Sequence, residues 1–303
     1  MMIVTLNCRF LSVSFPVSVG TFIKHFSNPK TPVFKFIHIP TGNKIFTPTV
    51  SASAVLDNPH FQTLTSHQRL QIGLYMDSLL QWNQKMNLTA VKDENEAMER
   101  HVEDSLALVE PICSSYMSCC GSSFQNLSVV DVGSGAGLPG VILAIACPGW
   151  KVTLLESMNK RCVFLEHVVG FIGLQNVQVI RERAENLGQN PAFRESFDIA
   201  VARAVAEMRV LAEYCLPLVR VGGLFLAAKG HDPQEEVTRA ERAIHLMGAS
   251  LVQACFGCLD HYELLLSIPR ILQQPKGVSS TCYRVLIMIA TTAYGLILCF
   301  TFN

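Results

Sequence analysis

Val129-Val130-Asp131-Val132-Gly133-Ser134-Gly135-Ala136-Gly137-Leu138-Pro139-Gly140 is the stretch that decides the fold. An apolar run ends in a glycine-rich turn, and Pro139 is suited to the first turn of a helix that follows. Gly133, Gly135 and Gly137 can adopt positive φ and let the backbone approach a ligand closely. Outward from this stretch, strand-like runs (127–132, 152–156, 177–180, 198–202 and 224–229) alternate with helical ones (138–147, 160–171, 207–219 and 232–247). That alternation predicts an α/β protein with a mostly parallel sheet covered on both faces. In such a sheet, a nucleoside-containing ligand binds in the crevice at the carboxyl ends of the strands.

Two ligands compete for the turn. Gly135-x-Gly137-x-x-Gly140 matches the dinucleotide fingerprint, which sets a pyrophosphate on the helix N-terminus. The alternative is the Asp-x-Gly-x-Gly-x-Gly arrangement of methyltransferases that use S-adenosylmethionine (SAM). Asp131 favours the second, because a carboxylate there repels a pyrophosphate and attracts the methionine ammonium. Glu156 ends the next strand and is placed for ribose hydroxyls, which both ligands carry.

Ahead of the sheet, Thr65-Ser66 can cap a helix running to about Asn83, with Leu70, Leu74, Met76, Leu79 and Leu80 at helical spacings. A second helix is expected over Glu94–Glu110, followed by a Cys/Ser-rich loop at Cys113–Ser123 that bounds a helical N-terminal lobe (57–123). Lys+Arg and Asp+Glu both number 24, but the distribution is uneven. Residues 1–56 hold Arg9, Lys24, Lys30, Lys35 and Lys44 and no acid, among many Ser and Thr, which reads as an organelle transit peptide. A single Arg among the bases points to the chloroplast over the mitochondrion. The remaining chain carries a net charge of −5 and lacks the positive field that aids nucleic-acid binding. The eleven cysteines have no paired zinc spacing, so reduced thiols and no metal site are expected.

At this point the residues carry a resemblance. The chain from about Leu64 to about Gln253 resembles the glucose-inhibited division protein B family, methyltransferases that modify guanine N7 in small-subunit (16S) ribosomal RNA. The matching pieces occur in order: Trp82-Asn83-x-x-Met86-Asn87-Leu88-Thr89, His101-x-x-Asp104-Ser105, the glycine turn, and Glu156-Ser157-x-x-Lys160-Arg161. Arg183-Ala184-Glu185, Ser196-Phe197-Asp198, Arg203-Ala204 and Lys229-Gly230 complete the set. The resemblance implies a class I SAM-dependent methyltransferase, Rossmann-like, with its catalytic domain at 124–260 behind the helical lobe. It implies a plant organellar form acting on ribosomal RNA or a partly assembled subunit, as a monomer. It also implies that Asp131, Gly133, Gly135, Leu138, Glu156, Ala184, Glu185 and Arg203 hold SAM. Asn87, Lys160, Arg161 and Lys229 are candidates for the RNA.

No catalytic base is expected. N7 of guanine already presents an in-plane lone pair, so orientation supplies much of the barrier reduction. Lys160, Arg161, Arg181, Arg183, Arg203 and Arg209 are candidates for a local basic rim; Trp82 reads as packing, and His101 with Asp104 as a structural pair. Asn190-Pro191-Ala192-Phe193 looks like the box of exocyclic-amine methyltransferases but precedes its strand. The segment 261–303 has no family counterpart beyond a faint echo at Ser267-Ile268-Pro269-Arg270, and Val285–Asn303 is uncharged. An altered C-terminus from a splice variant is preferred there over a membrane anchor or an extra buried element. Two other functions stay open: an NAD(P)-binding oxidoreductase, and a catalytically silent product of the methyltransferase.

Overall fold

The computed structural model describes residues 59–120, 123–203, 206–229, 234–257, 284–290 and 295–301. The basic opening 1–56, Gly230, Cys258 and Ser267–Arg270 lie outside them.

After a short helical piece at Pro59–Gln62, helix α1 (Ser66–Met86) begins at a reciprocal cap. The Thr65 hydroxyl accepts from Gln68 N, and the Gln68 side chain accepts from Thr65 N. Asn87 closes α1 in the left-handed conformation, φ 50°. The segment expected as one helix over 94–110 is broken. Glu94–Ala97 is α-helical, Met98–Glu103 is a π-helical turn and Asp104–Leu106 is α-helical again.

The expected Cys/Ser-rich loop is instead helix α2 (Val109–Cys120). Pro111 sits in its first turn, where a missing N–H costs nothing, and Leu108, Ile112 and Tyr116 bury one stripe at four-residue spacing. That stripe, rather than the loop-like composition, determines the local structure.

Then come β1 (Ser128–Val132), α3 (Gly140–Ala146), β2 (Lys151–Glu156), α4 (Asn159–Phe171), β3 (Val177–Arg181) and α5 (Ala184–Leu187). They are followed by β4 (Phe197–Arg203), α6 (Met208–Cys215), β5 (Val219–Lys229), α7 (Gln234–Leu246) and β6 (Ala249–Gly257). Two strands, β7 (Arg284–Ala290) and β8 (Gly295–Thr301), lie in the stretch read from the sequence as an apolar tail. The strand order is β3-β2-β1-β4-β5-β7-β6-β8, parallel throughout except for β8.

Alternation along the strands sends side chains to two separate cores. Val129, Leu154, Ile199, Val201, Leu224 and Leu226 face α3, α4 and the helical lobe. Val130, Val132, Leu155, Ala200, Ala202 and Phe225 face α6 and α7. The lobe therefore lies on the same face as the helix that follows the glycine turn. Asp131 and Arg203 share the parity of that face, and Asp131 pairs in register with Val201, one side-chain step before Arg203.

Candidate cofactor and substrate site

The glycine turn leaves β1 at the point where the strand order reverses, between β1 and β4. Gly133, Gly135 and Gly137 all have positive φ, at 74°, 58° and 94°. A Cβ added at Gly135 would meet only Gly133 O, at 3.8 Å, so that residue borders open space. Gly137 and Gly140 are packed from below. A Cβ on Gly137 would come within 2.6 Å of Val141, and one on Gly140 within 2.4 Å of Leu154. The turn thus has an open upper side and a closed underside.

Asp131 lies under this turn, 1% exposed. Its Oδ2 accepts from Gly140 N at 2.9 Å, the first amide of α3, while Oδ1 is buried with no hydrogen-bond partner among the described residues. Burial pushes the carboxyl up to about 7, against the opposing pull of the Gly140 amide and the nearby Arg203 guanidinium. Asp131 therefore already takes the first amide of the helix N-terminus that a dinucleotide would need for its pyrophosphate, which weighs against the oxidoreductase reading.

Glu156, 3% exposed, closes the crevice from β2. Its Oε2 accepts from Gly135 N at 2.9 Å and its Oε1 from Met158 N at 2.8 Å, so one carboxylate ties the turn to the β2–α4 junction. Arg161, a candidate for RNA, stands 3.5 Å from Oε2 and so is also an ion-pair partner of Glu156. Leu138 is buried in the lobe-facing core beside the turn. Ala184 and Glu185 open α5, directly after β3, with Ala184 half-buried and Glu185 exposed.

Arg203 is not on a surface rim. It is partly buried at the end of β4, and its guanidinium donates to Arg100 O at 3.1 Å in the π-helical turn. Desolvation lowers its pKa, opposed by the nearby Asp104 and Asp131 carboxyls. His101, in the same π turn, has Nε2 2.8 Å from Thr89 Oγ1. Burial and the Arg203 charge push its pKa down to about 4, so the ring is neutral at pH 7. π turns concentrate at functional sites, and this one brings the lobe onto the carboxyl edge of the sheet.

The remaining candidates separate. Asn87 caps α1, and Asn83 holds the chain after it, with its side chain bonded to Thr89 N and Val91 O. Lys160 is exposed at the start of α4. Lys229 is largely internal: its ammonium donates to Ala206 O and pairs with Glu236, which also caps α6 by accepting from Met208 N. Arg181 donates to Asn159, and Arg209 lies 4.0 Å from Glu213. Trp82 packs against Phe164 and His167, with ring centroids 5.6 and 5.0 Å apart. Asn190–Phe193 lies in turns ahead of β4. Among the described residues there is no cluster of three or more His, Cys, Asp or Glu placed to hold a metal.

Sequence reasoning missed Tyr75, which lies on α1 yet hydrogen-bonds the glycine turn: its hydroxyl donates to Ala136 O at 2.8 Å. The available signal was its place among Ile72, Met76 and Leu79 on the buried stripe of α1.

A family model, GidB, rRNA small subunit methyltransferase G, matches residues 68–260, which include the turn, Glu156, the start of α5 and Arg203. The chain belongs to this family. Ribosomal RNA small subunit methyltransferase G of Alkaliphilus oremlandii is 43% identical over 218 residues, 70% of this chain and 87% of that protein. The namesake proteins of Chloroflexus aggregans and Lactobacillus acidophilus are 43% and 38% identical, over 63% and 72% of this chain and 76% and 89% of theirs. Among solved structures, the chain is similar to a SAM dependent methyltransferase from Aquifex aeolicus. That likeness has 15% identity and a TM-score of 0.39, over 53% of this chain and 86% of that one. Family and strand order together make the fold that of class I SAM-dependent methyltransferases, and SAM is the cofactor. The chain's residues fit it: an open glycine arc, a buried carboxylate beneath the arc, and a second carboxylate at the end of β2.

Proposed function

We propose that this protein methylates N7 of a guanine in small-subunit ribosomal RNA, using SAM. The observation that carries the reading is the family match over 68–260, because it spans the whole carboxyl edge built from β1, β2, β4 and the helical lobe. When bound, SAM supplies an electrophilic methyl group on a sulfonium. The chain's own residues orient and desolvate. The glycine arc lets the backbone approach the ligand, Glu156 presents acceptor oxygens toward the ribose side, and Asp131 places negative charge beneath the amino-acid end. Arg203 and the π turn of the lobe wall the opposite side. The guanine N7 lone pair needs no proton removed, so bringing it in line with the methyl is the main task.

The RNA enters over exposed Lys160 and the lobe, as ribosomal RNA or a partly assembled subunit, and the protein acts as a monomer. The acid-free, hydroxyl-rich opening supports action in a chloroplast. The test is to map N7-methylguanine in small-subunit ribosomal RNA from chloroplasts with and without the protein, and after incubation of purified subunits with SAM. A single N7-methylguanine that depends on the protein is expected. Methylation at a ring carbon or an exocyclic amine, or none in either assay, would overturn the proposal.

A further inference from the structure

We infer that Tyr75 is a positioning residue of the cofactor site, through which helix α1 of the lobe sets the shape of the glycine turn. The inference rests on the reading that this turn receives SAM. Gly133-Ser134-Gly135-Ala136-Gly137 contains three residues with little steric restraint, so its conformation depends on what fastens it. The fastenings are few. Gly133 N and Ser134 N donate to Leu155 O, Ser134 Oγ donates to Asp131 O, and Gly135 N donates to Glu156. Gly137 N and Leu138 N return to Ser134 O. All of these arise within the sheet edge or the turn itself.

Among the described residues, the Tyr75 hydroxyl is the one hydrogen-bonding group that reaches this turn from the lobe. It reaches Ala136 O, between the two glycines with φ 58° and 94°. The ring is fully buried beside Ile72, Met76 and Leu79, so the hydroxyl is aimed by packing rather than by a flexible stem. Ala136 is itself buried, so without the hydroxyl its carbonyl loses its partner away from water. A loosened turn must then be ordered by the ligand, which weakens binding without touching the reacting atoms.

The experiment compares Tyr75→Phe with Gln71→Leu. Gln71 is on the same helix and donates to Ile172 O, far from the turn, so its loss perturbs α1 without touching the turn. Calorimetric titration with SAM and with S-adenosylhomocysteine is expected to show about a tenfold rise in Kd for Tyr75→Phe. KM for SAM should rise while kcat at saturation holds, and amides of residues 133–138 should exchange faster in the protein without ligand. Gln71→Leu should lower the melting temperature and leave Kd for SAM unchanged. Unchanged SAM affinity in Tyr75→Phe, or an equal loss in Gln71→Leu, overturns the inference. The comparison is made on SAM binding, so a different methylated nucleotide would sink the proposed function and leave Tyr75 untouched. A parent protein that binds no SAM would sink both.

Discussion

Asp131 is both a strut and a charge, and the two duties can be separated. Its Oδ2 holds the first amide of α3, which an Asn side-chain carbonyl can also do. Its carboxyl is held up at about 7 by burial, against about 3.9 in an open chain. Between roughly pH 4 and 7 the unfolded chain ionises while the folded one keeps its proton. Stability therefore falls as pH rises through that window, by about 4 kcal/mol in all, and levels off above it. His101 has the opposite slope, losing stability as pH falls from about 6.5 to 4, but it is common to both proteins and cancels in a comparison. Urea titrations across pH 4–8 are expected to show Asp131→Asn gaining on the parent as pH rises. SAM affinity should rise from pH 6 to 8 in the parent and stay flat and weaker in the variant. Gly140→Ala is a purely steric counterpart. The new Cβ would sit 2.4 Å from Leu154 and 2.7 Å from Asp131 Oδ2, so a loss of at least about 2 kcal/mol is expected in denaturant melts.

The elements differ in how plainly their residues announce them. The start of α1 was legible at Thr65 because a cap is local chemistry between residues three apart. Thr65→Ala should cost about 1 kcal/mol of stability, read from the urea midpoint at unchanged slope. Strands β1 to β5 were legible from short apolar runs, but β6, β7 and β8 were not; β5 begins five residues early, at Val219, and the helix expected over 207–219 ends at Cys215, in a 3-10 turn at Leu216–Leu218. The π turn at Met98–Glu103 was not legible. Its apolar spacing reads as ordinary helix, while Arg100 O within it accepts from Arg203, 103 residues away. The network at the opposite sheet end was equally hidden. Asp198 joins Ser128 N, Tyr116 and Arg220, with Arg220 Nε 2.6 Å from Asp198 Oδ1. Asp198→Ala strips acceptors from three partners on two strands and α2. A loss of about 2 kcal/mol is expected, with SAM affinity unchanged because the network lies at the other end of β1 and β4.

For the whole molecule, the sheet extends beyond the family match. β7 pairs along β5 from Leu224↔Val285 to Lys229↔Ala290 and separates β5 from β6. Ending the chain after Gly257 would leave β5 with an open edge and β6 without its strand partners. Open edges template association, so the truncated protein is expected to be insoluble or to melt well below the full chain. Soluble, cooperatively melting truncated protein would show that these strands are dispensable.

Residue order alone was enough for the α/β class, the glycine turn with its two acids, and the family, because each rests on spacing within a few residues or on motifs in series. Which partners those residues take was a tertiary decision. Lys229 meets Glu236, Arg203 faces inward beneath the lobe, and Tyr75 reaches Ala136 across 61 residues of chain. Hydrogen bonds and ion pairs depend on distance in space, and only the packing of α1 against the sheet brings such groups within reach.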